Sequence, residues 1–336
     1  MTQRHGWAWC ALAAVLFGAA TPAIKLLVDH VGSVTLAGLL YLGAAAGATP
    51  IALREQRRVG TRRQRSRLLL AVGLGGGLAP VLLVLALDRT PAGTVSLFLN
   101  LELVATAIIA RVFLQEQIGR RAGLGIVMVM VGGVILAGTS DGGIAAGALL
   151  VAATCVCWGI DNAITASLDN YTPAQITFVK GLVAGSVNLI LGLFLDGVPA
   201  ARFAFAAMAV GALGYGLSIA MWITGARLVG AARGQVIFAL APFVGVLLAW
   251  PINGDQLSSA TVAAFAVSLV GVVVVGSAHH GHRHVHRVMV HAHAIDPSDP
   301  HHGPGAILIL SGTEHRHLAL AHEHEHLPDI HHRHSH

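Results

Sequence analysis

AGTVSLFLNLELVATAIIARVF, residues 92–113, is an almost unbroken apolar run with one carboxylate, Glu102, near its middle. Because about 20 residues of α-helix cross the ~30 Å hydrocarbon core of a bilayer, this run is long enough to span a membrane. An ionised side chain at that depth costs about 2.5–3.5 kcal/mol on insertion scales and is a functional candidate by default. The run therefore predicts a transmembrane helix and singles out Glu102.

The rest of the chain has the same character. Its 336 residues are 55% hydrophobic and 11% charged, with a mean hydropathy of +0.71, whereas roughly 25% of the residues in a soluble domain are charged. The fold class predicted is therefore an all-α integral membrane protein in the lipid bilayer. Ten spans are predicted, at residues 7–29, 33–53, 68–87, 92–113, 122–138, 144–167, 173–195, 203–225, 232–252 and 258–278.

Basic residues predict the orientation of these spans. The pI near 9.6 would suit a nucleic-acid-binding protein, but seven arginines lie in one short loop between two spans, Arg54 to Arg67. With the N-terminus inside, thirteen basic residues fall in cytoplasmic loops and helix ends, against Arg89 and Arg202 outside. Such an excess marks the cytoplasmic side. We therefore expect both termini in the cytoplasm, a bacterial inner (plasma) membrane location and no nucleic-acid partner.

The chain also contains an internal repeat. A shift of 139 residues lays Leu101 on Leu240 and Gly132 on Gly271. Each unit has five spans, an odd number, so the second unit enters the membrane from the opposite side. This predicts two inverted five-helix repeats with a site between them. The predicted domains are residues 1–138, residues 139–278 and a flexible histidine-rich tail, residues 279–336.

Short motifs occur in the same order in both repeats: Asn100-Leu101-Glu102 and Phe113 to Gln117 in the first, Leu240-Ala241-Pro242 and Asn253 to Leu257 in the second. Pro91-Ala92-Gly93 precedes them in the first repeat. By this order and spacing, residues 7–278 resemble the drug/metabolite transporter superfamily, EamA-like branch. The resemblance implies ten-helix export or exchange of small organic molecules without ATP. The chain departs from the family pattern in that the Glu-Pro pair is split between the repeats and Asp255 replaces the usual Glu.

Four ionisable residues lie inside predicted spans: Glu102, Lys25, Asp161 and Lys180. With Asn100, which shares a motif with Glu102, they are the candidate transport residues. One interpretation makes Glu102 or Asp161 the proton-coupling carboxylate and a lysine its counter-charge or the partner of an anionic substrate. The alternative is an internal ion pair that only holds the bundle together. Lys25, towards the outer end of its span, could instead snorkel to the interface.

Eighteen of the twenty histidines lie between His279 and His336, mostly as His-x-His. In an extended chain this pattern puts two imidazoles on one side, about 7 Å apart, and imidazole binds metals such as nickel, zinc, cobalt or copper. Apolar residues at 285–295 and 307–310 predict a β-hairpin in the tail. The alternative is a disordered, pH-sensitive tail. The predicted metal ligands are His282, His284, His286, His291, His293, His315, His317, His322, His324, His326, His331, His332, His334 and His336.

These features together predict a secondary, ATP-independent transporter that exports a small metabolite or drug-like solute, with a metal-binding regulatory tail. Transport itself should need no cofactor, and the tail should take a divalent transition metal. The alternatives are a nickel, cobalt or zinc exporter fed by the tail, and a membrane-anchored metal store. The spans lack paired His/Asp ligands and the tail lacks His-Glu-x-x-His, so neither metal permeation nor an enzyme is favoured. A homodimer is compatible with the sequence.

Overall fold

A computed structural model confirms the predicted helical membrane fold. It describes residues 3–55, 61–113, 119–138, 142–166, 168, 170–229, 234, 237–276, 280–286, 289–292, 307–311, 314–317 and 320–326. The chain forms two units, Met1–Ala278 and His279–His336. Within the described residues of the first unit, nine helices are long and apolar enough to cross a membrane, and Ala241–Asn253 is a shorter apolar helix.

The helices follow the predicted spans in order. In the first half they are α1 (Gln3–Lys25), α2 (Ser33–Ala52), α3 (Arg62–Ala71), α4 (Ala79–Arg89), α5 (Ala92–Phe98), α6 (Leu101–Phe113) and α7 (Arg120–Gly138). In the second half they are α8 (Gly142–Ala166), α9 (Pro173–Leu195), α10 (Ala201–Gly211), α11 (Ser218–Val229), α12 (Ala241–Asn253) and α13 (Ser259–Gly276). Helices α3 and α9 each start with a capping box, whose N-cap residues are Thr61 and Thr172. In each box the threonine hydroxyl accepts a hydrogen bond from a backbone N–H of the first turn.

The third and eighth spans each contain a π-helical segment. Val72–Leu78 joins α3 to α4, and Ala212–Leu217 joins α10 to α11. Both segments are glycine-rich, and they begin 140 positions apart, at the same place in each half. A π-turn disturbs the regular i→i−4 bonding of a helix and often marks a functional site. The glycine clusters therefore build matched irregularities as well as close helix packing.

The fourth span is broken, unlike the continuous helix predicted for residues 92–113. Leu99 and Asn100 form a turn between α5 and α6. The buried Asn100 donates its side-chain amide to the carbonyl of Leu97 at 2.9 Å, and such local bonding competes with regular helix. A turn at Ala239–Leu240 precedes α12 in the same way. Both halves thus carry a discontinuous fourth helix.

Two pairs of equivalent helices pack across the two halves, α2 with α9 and α7 with α13. In the fourth spans, α5 of the first half packs on α12 of the second. In addition, α1 packs on α11 and α12 of the second half, while α8 packs on α4 and α6 of the first. The contact between α2 and α9 is close because a Cβ on Gly38 would overlap the backbone of Leu189. The halves therefore interlock by exchanging their first helices.

The pair α2 and α9 is antiparallel and capped at both ends. Asp196, just after α9, accepts bonds from the backbone N–H and the hydroxyl of Thr35 in the first turn of α2, at 3.1 and 3.2 Å. Glu55, just after α2, accepts a bond from the hydroxyl of Thr172, the N-cap of α9. Each carboxylate lies at the positive end of the opposite helix dipole, where it is stabilising.

The described residues of the second unit form five short strands: β1 (His280–His286), β2 (Met289–Ala292), β3 (Ile307–Ser311), β4 (Glu314–His317) and β5 (Leu320–His326). They make a two-stranded ribbon of β1 and β5 and a three-stranded sheet in the order β2-β4-β3. The predicted hairpin between residues 285–295 and 307–310 is wrong, because β2 and β3 each pair with β4. The histidine-bearing β4 takes the central place in that sheet.

Candidate functional site

A buried ion pair joins two of the predicted site residues. Lys180 Nζ on α9 lies 2.5 Å from Asp161 Oδ2 on α8, and the side chains are 16% and 4% exposed. Mutual compensation lowers the cost of placing both charges away from water. The second oxygen, Asp161 Oδ1, is buried without a hydrogen-bond partner among the described residues. It remains available as an acceptor.

The first π-helical segment makes room for this pair. A Cβ on Gly75 would overlap the Asp161 carboxylate, so only glycine admits the side chain at this place. The carbonyl of Gly75 accepts two bonds, from Tyr41 Oη at 2.6 Å and from Trp158 Nε1 at 3.1 Å. Asn188 donates to the carbonyl of Gly77 at 3.0 Å. Side chains from α2, α8 and α9 thus satisfy carbonyls of the π segment.

Glu102 occupies the first turn of α6, directly after the break in the fourth span. Its Oε1 accepts a hydrogen bond from Asn162 Nδ2 at 2.8 Å. The same Asn162 nitrogen lies 3.5 Å from Thr106 Oγ1. Glu102 is half-buried and Asn162 is exposed, so this carboxylate is more accessible than Asp161. The N-terminal end of α6 favours negative charge there.

Contacts connect these groups into one cluster. Asn162, which binds Glu102, follows Asp161 directly in α8, and Tyr41 binds the carbonyl of Gly75, the glycine that lies against Asp161. The rings of Tyr41 and Tyr215 lie 6.1 Å apart. Glu102 and Tyr41 come from the first half, while Asp161, Lys180 and Tyr215 come from the second. The cluster therefore lies where the two halves meet, as expected for an inverted-repeat protein.

Each of the other two predicted transport residues donates a hydrogen bond to a backbone carbonyl. Lys25, the last residue of α1, donates to the carbonyl of Leu87 near the C-terminal end of α4, where a cation is favoured. Asn100 holds the break before α6 through the carbonyl of Leu97. The thiol of Cys155 approaches the carbonyls of Phe98 and Leu99 at the same break, each at 3.9 Å. These contacts shape helix ends around the cluster.

The predicted metal ligands are distributed over the strands of the second unit. His282, His284 and His286 lie on β1, His291 on β2, His315 and His317 on β4, and His322, His324 and His326 on β5. His293, His331, His332, His334 and His336 lie outside the described residues. In the described helices of the first unit, no group of three His, Cys, Asp or Glu residues is arranged to hold a metal ion.

Several residues of the cluster, including Asn162, Tyr41 and Asn188, were not predicted from the sequence. Asn162 follows Asp161 directly, and Tyr41 and Asn188 are isolated polar groups in apolar spans. Their polarity at membrane depth was the available signal, because a buried hydroxyl or amide needs a hydrogen-bond partner. A polar residue in an apolar span is therefore a candidate site residue, as a charged residue is.

Comparisons with known proteins agree with this architecture. The EamA-like transporter family matches residues 4–138 and 145–277. An "Uncharacterized transporter" of Methanothermobacter thermautotrophicus is 25% identical over 298 residues, which cover 81% of this chain and 87% of the relative. A solved structure described only as "Crystal structure of protein" has a TM-score of 0.60 at 19% identity, covering 80% of this chain and 97% of that one. The structural likeness supports the fold alone.

Proposed function

The chain belongs to the EamA-like transporter family, and we propose that it is a secondary exporter of a small metabolite or drug-like solute. Transport is driven by an ion gradient, with Glu102 as the proton-coupling carboxylate. The cluster at the meeting of the two halves is the solute site. The histidine-rich tail binds transition metal and regulates transport.

The hydrogen bond between Glu102 and Asn162 carries this proposal. A carboxylate held by a neutral amide has a partner in either protonation state, since Asn offers a donor to the anion and an acceptor to the acid. Asp161 differs because the adjacent Lys180 cation stabilises its ionised form. Of the two carboxylates, Glu102 is therefore the one suited to load and release a proton during the cycle.

The ion pair supplies the polar part of the solute site. Asp161 Oδ1 is a buried acceptor that a hydroxyl or amine of the solute can satisfy. Lys180 neutralises the charge of Asp161, so the site can accept an uncharged or weakly charged solute without leaving a lone buried charge. The phenol rings of Tyr41 and Tyr215 offer an apolar surface beside these groups.

The histidine-rich tail suggests a second candidate function, the export of metal ions. The absence of a three-ligand group in the described helices favours a solute transporter with a metal-responsive tail, because a dehydrated cation needs several ligands in its path. The tail then buffers or senses metal in the cytoplasm. A simple metal store would leave the ten-helix body without a use.

Flux measurements distinguish these functions. Vesicles containing the full chain or a chain ending at Ala278 are tested with a panel of amino acids, amphiphilic solutes and divalent metals, with and without a proton gradient. We expect gradient-dependent flux of an organic solute in both, with a response to added metal only in the full chain. Loss of metal export on truncation would instead establish the metal exporter. Unchanged solute flux and unchanged metal response would refute a transport role for the tail.

Both termini are proposed to lie in the cytoplasm of a bacterial cell, with the protein in the inner membrane. The arginine-rich stretch from Arg54 to Arg67, which runs into the first turns of α3, supports this orientation. A cysteine introduced at Gly197 should react with an impermeant reagent added to intact cells, and one at Thr61 should not. Labelling at Thr61 together with protection at Gly197 would show that the protein has the opposite orientation.

A further inference from the structure

The ribbon of β1 and β5 sets histidines of distant chain segments opposite one another. The antiparallel register has three such pairs: His280 with His326, His282 with His324, and His284 with His322. Directly opposed residues in an antiparallel pair share one face, and residues two apart on a strand share the same face. The register therefore gathers these histidine positions on one face of the ribbon.

The intervening positions have a different chemistry. Arg283 is opposite Glu323, and Gly281 is opposite Glu325. Opposite charges in direct register stabilise a strand pair, and a slip by one residue would move every histidine of one strand to the other face. The alternation of histidine with charged residues thus favours the register that pairs the histidines.

We propose that one borderline divalent cation of the zinc, nickel, cobalt and copper class binds at two adjacent pairs of this ribbon, His282, His284, His322 and His324. Opposed positions of an antiparallel pair lie about 5 Å apart and positions two apart on one strand lie about 7 Å apart, so the four histidine positions are close neighbours on one face. Zinc prefers four ligands, nitrogen among them, at about 2.0–2.1 Å, and the register sets four histidine positions side by side at this place. The site rests on the metal-binding tail proposed above and gives it a defined geometry.

The site links metal binding to the folding of the tail. Its ligands come from β1 and β5, at opposite ends of the strand-forming segment. An ion that holds both strands closes the long stretch of chain between them, and it binds only where the ligands are brought together. Metal concentration therefore controls whether the two strands stay paired, which is the means by which the tail senses metal.

A composition-preserving exchange tests the register. The variant carries His322→Glu with Glu323→His, and His324→Glu with Glu325→His, which moves two histidines of β5 to the other face. Full-length protein in detergent is titrated with Co²⁺, whose visible absorption reports four-coordinate nitrogen ligation, and then with Zn²⁺ in competition. The tightest Co²⁺ site should weaken at least tenfold in the variant and lose its tetrahedral absorption.

A matched control exchanges His332→Arg with Arg333→His, which moves one histidine outside the ribbon and should leave that site unchanged. Equal affinity and absorption in the β5 variant and the wild type would overturn the ribbon site while leaving a metal-binding tail. Absence of Co²⁺ and Zn²⁺ binding by the wild type would overturn both. The solute flux of the truncated chain is measured separately, so neither result depends on the transport proposal.

Discussion

The two halves of the helical unit share their backbone irregularities but not their charges. Each has a π-helical segment in its third span and a break in its fourth. Three charged residues have apolar counterparts 139 to 141 positions away: Glu102 with Ala241, Asp161 with Ala20, and Lys180 with Leu40. The backbone thus offers the same deformable points to both membrane faces. The charges distinguish one half from the other.

The largest expected effect concerns Lys180 and its counterpart. Replacing Lys180 by Met leaves the Asp161 carboxylate buried without its cation, which costs about 3–5 kcal/mol. Adding Asp161→Asn removes the lone charge and should restore most of the stability. Leu40→Met, at the equivalent position of the other half, is the matched control and should cost under about 1.5 kcal/mol. Thermal unfolding in detergent compares the four proteins.

The double variant, Lys180→Met with Asp161→Asn, shows whether Lys180 stabilises the protein through its charge or through its packing. If it is as unstable as Lys180→Met alone, the lysine stabilises the bundle by packing, and its charge is irrelevant to Asp161. If Leu40→Met is as harmful as Lys180→Met, the two halves do not differ in the way their charges suggest.

Gly75→Ala should have an intermediate effect. The added methyl group would overlap the Asp161 side chain, and overpacking of this kind costs about 1–3 kcal/mol. Gly73 belongs to the same π segment, but a methyl group added there would meet no atom within 4 Å, so Gly73→Ala should be neutral or slightly stabilising. Unfolding temperatures of the two variants give the test. Equal behaviour would show that Asp161 does not depend on the space left by Gly75.

Of these substitutions, Glu102→Gln should change the free energy of unfolding least, although it should reduce transport. The amide keeps the shape of the side chain and removes its charge, so the unfolding temperature should stay constant. Gradient-driven flux should fall at least tenfold, about 1.4 kcal/mol in rate terms, while solute exchange without a gradient persists. Asp88→Asn is the control because that carboxylate is exposed at the end of α4 beside Arg89. Full gradient-driven flux in Glu102→Gln would remove the coupling role.

Hydropathy was sufficient to predict the nine span-length helices of the described residues and the shorter apolar helix Ala241–Asn253, because a bilayer imposes a minimum length on every apolar run. The break at Leu99 and Asn100 was missed since neither Pro nor Gly marks it, and Asn100 supports the turn with a local bond to the carbonyl of Leu97. The partner of Glu102 was also missed. Because α8 is apolar around most of its surface, periodicity does not reveal which face meets α6. The charged residues could be identified from the sequence as a set, but only the packing of the helices shows which of them pair.

The exchange of first helices between the halves has a consequence for biosynthesis. When the ribosome has released only the first half, α11 and α12, against which α1 packs, have not yet been made. The early segments must wait in the membrane as a loosely held group, and α8 then enters among α4 and α6. Folding of this chain is therefore completed late, when the second half arrives, although domains of many proteins fold in order of synthesis.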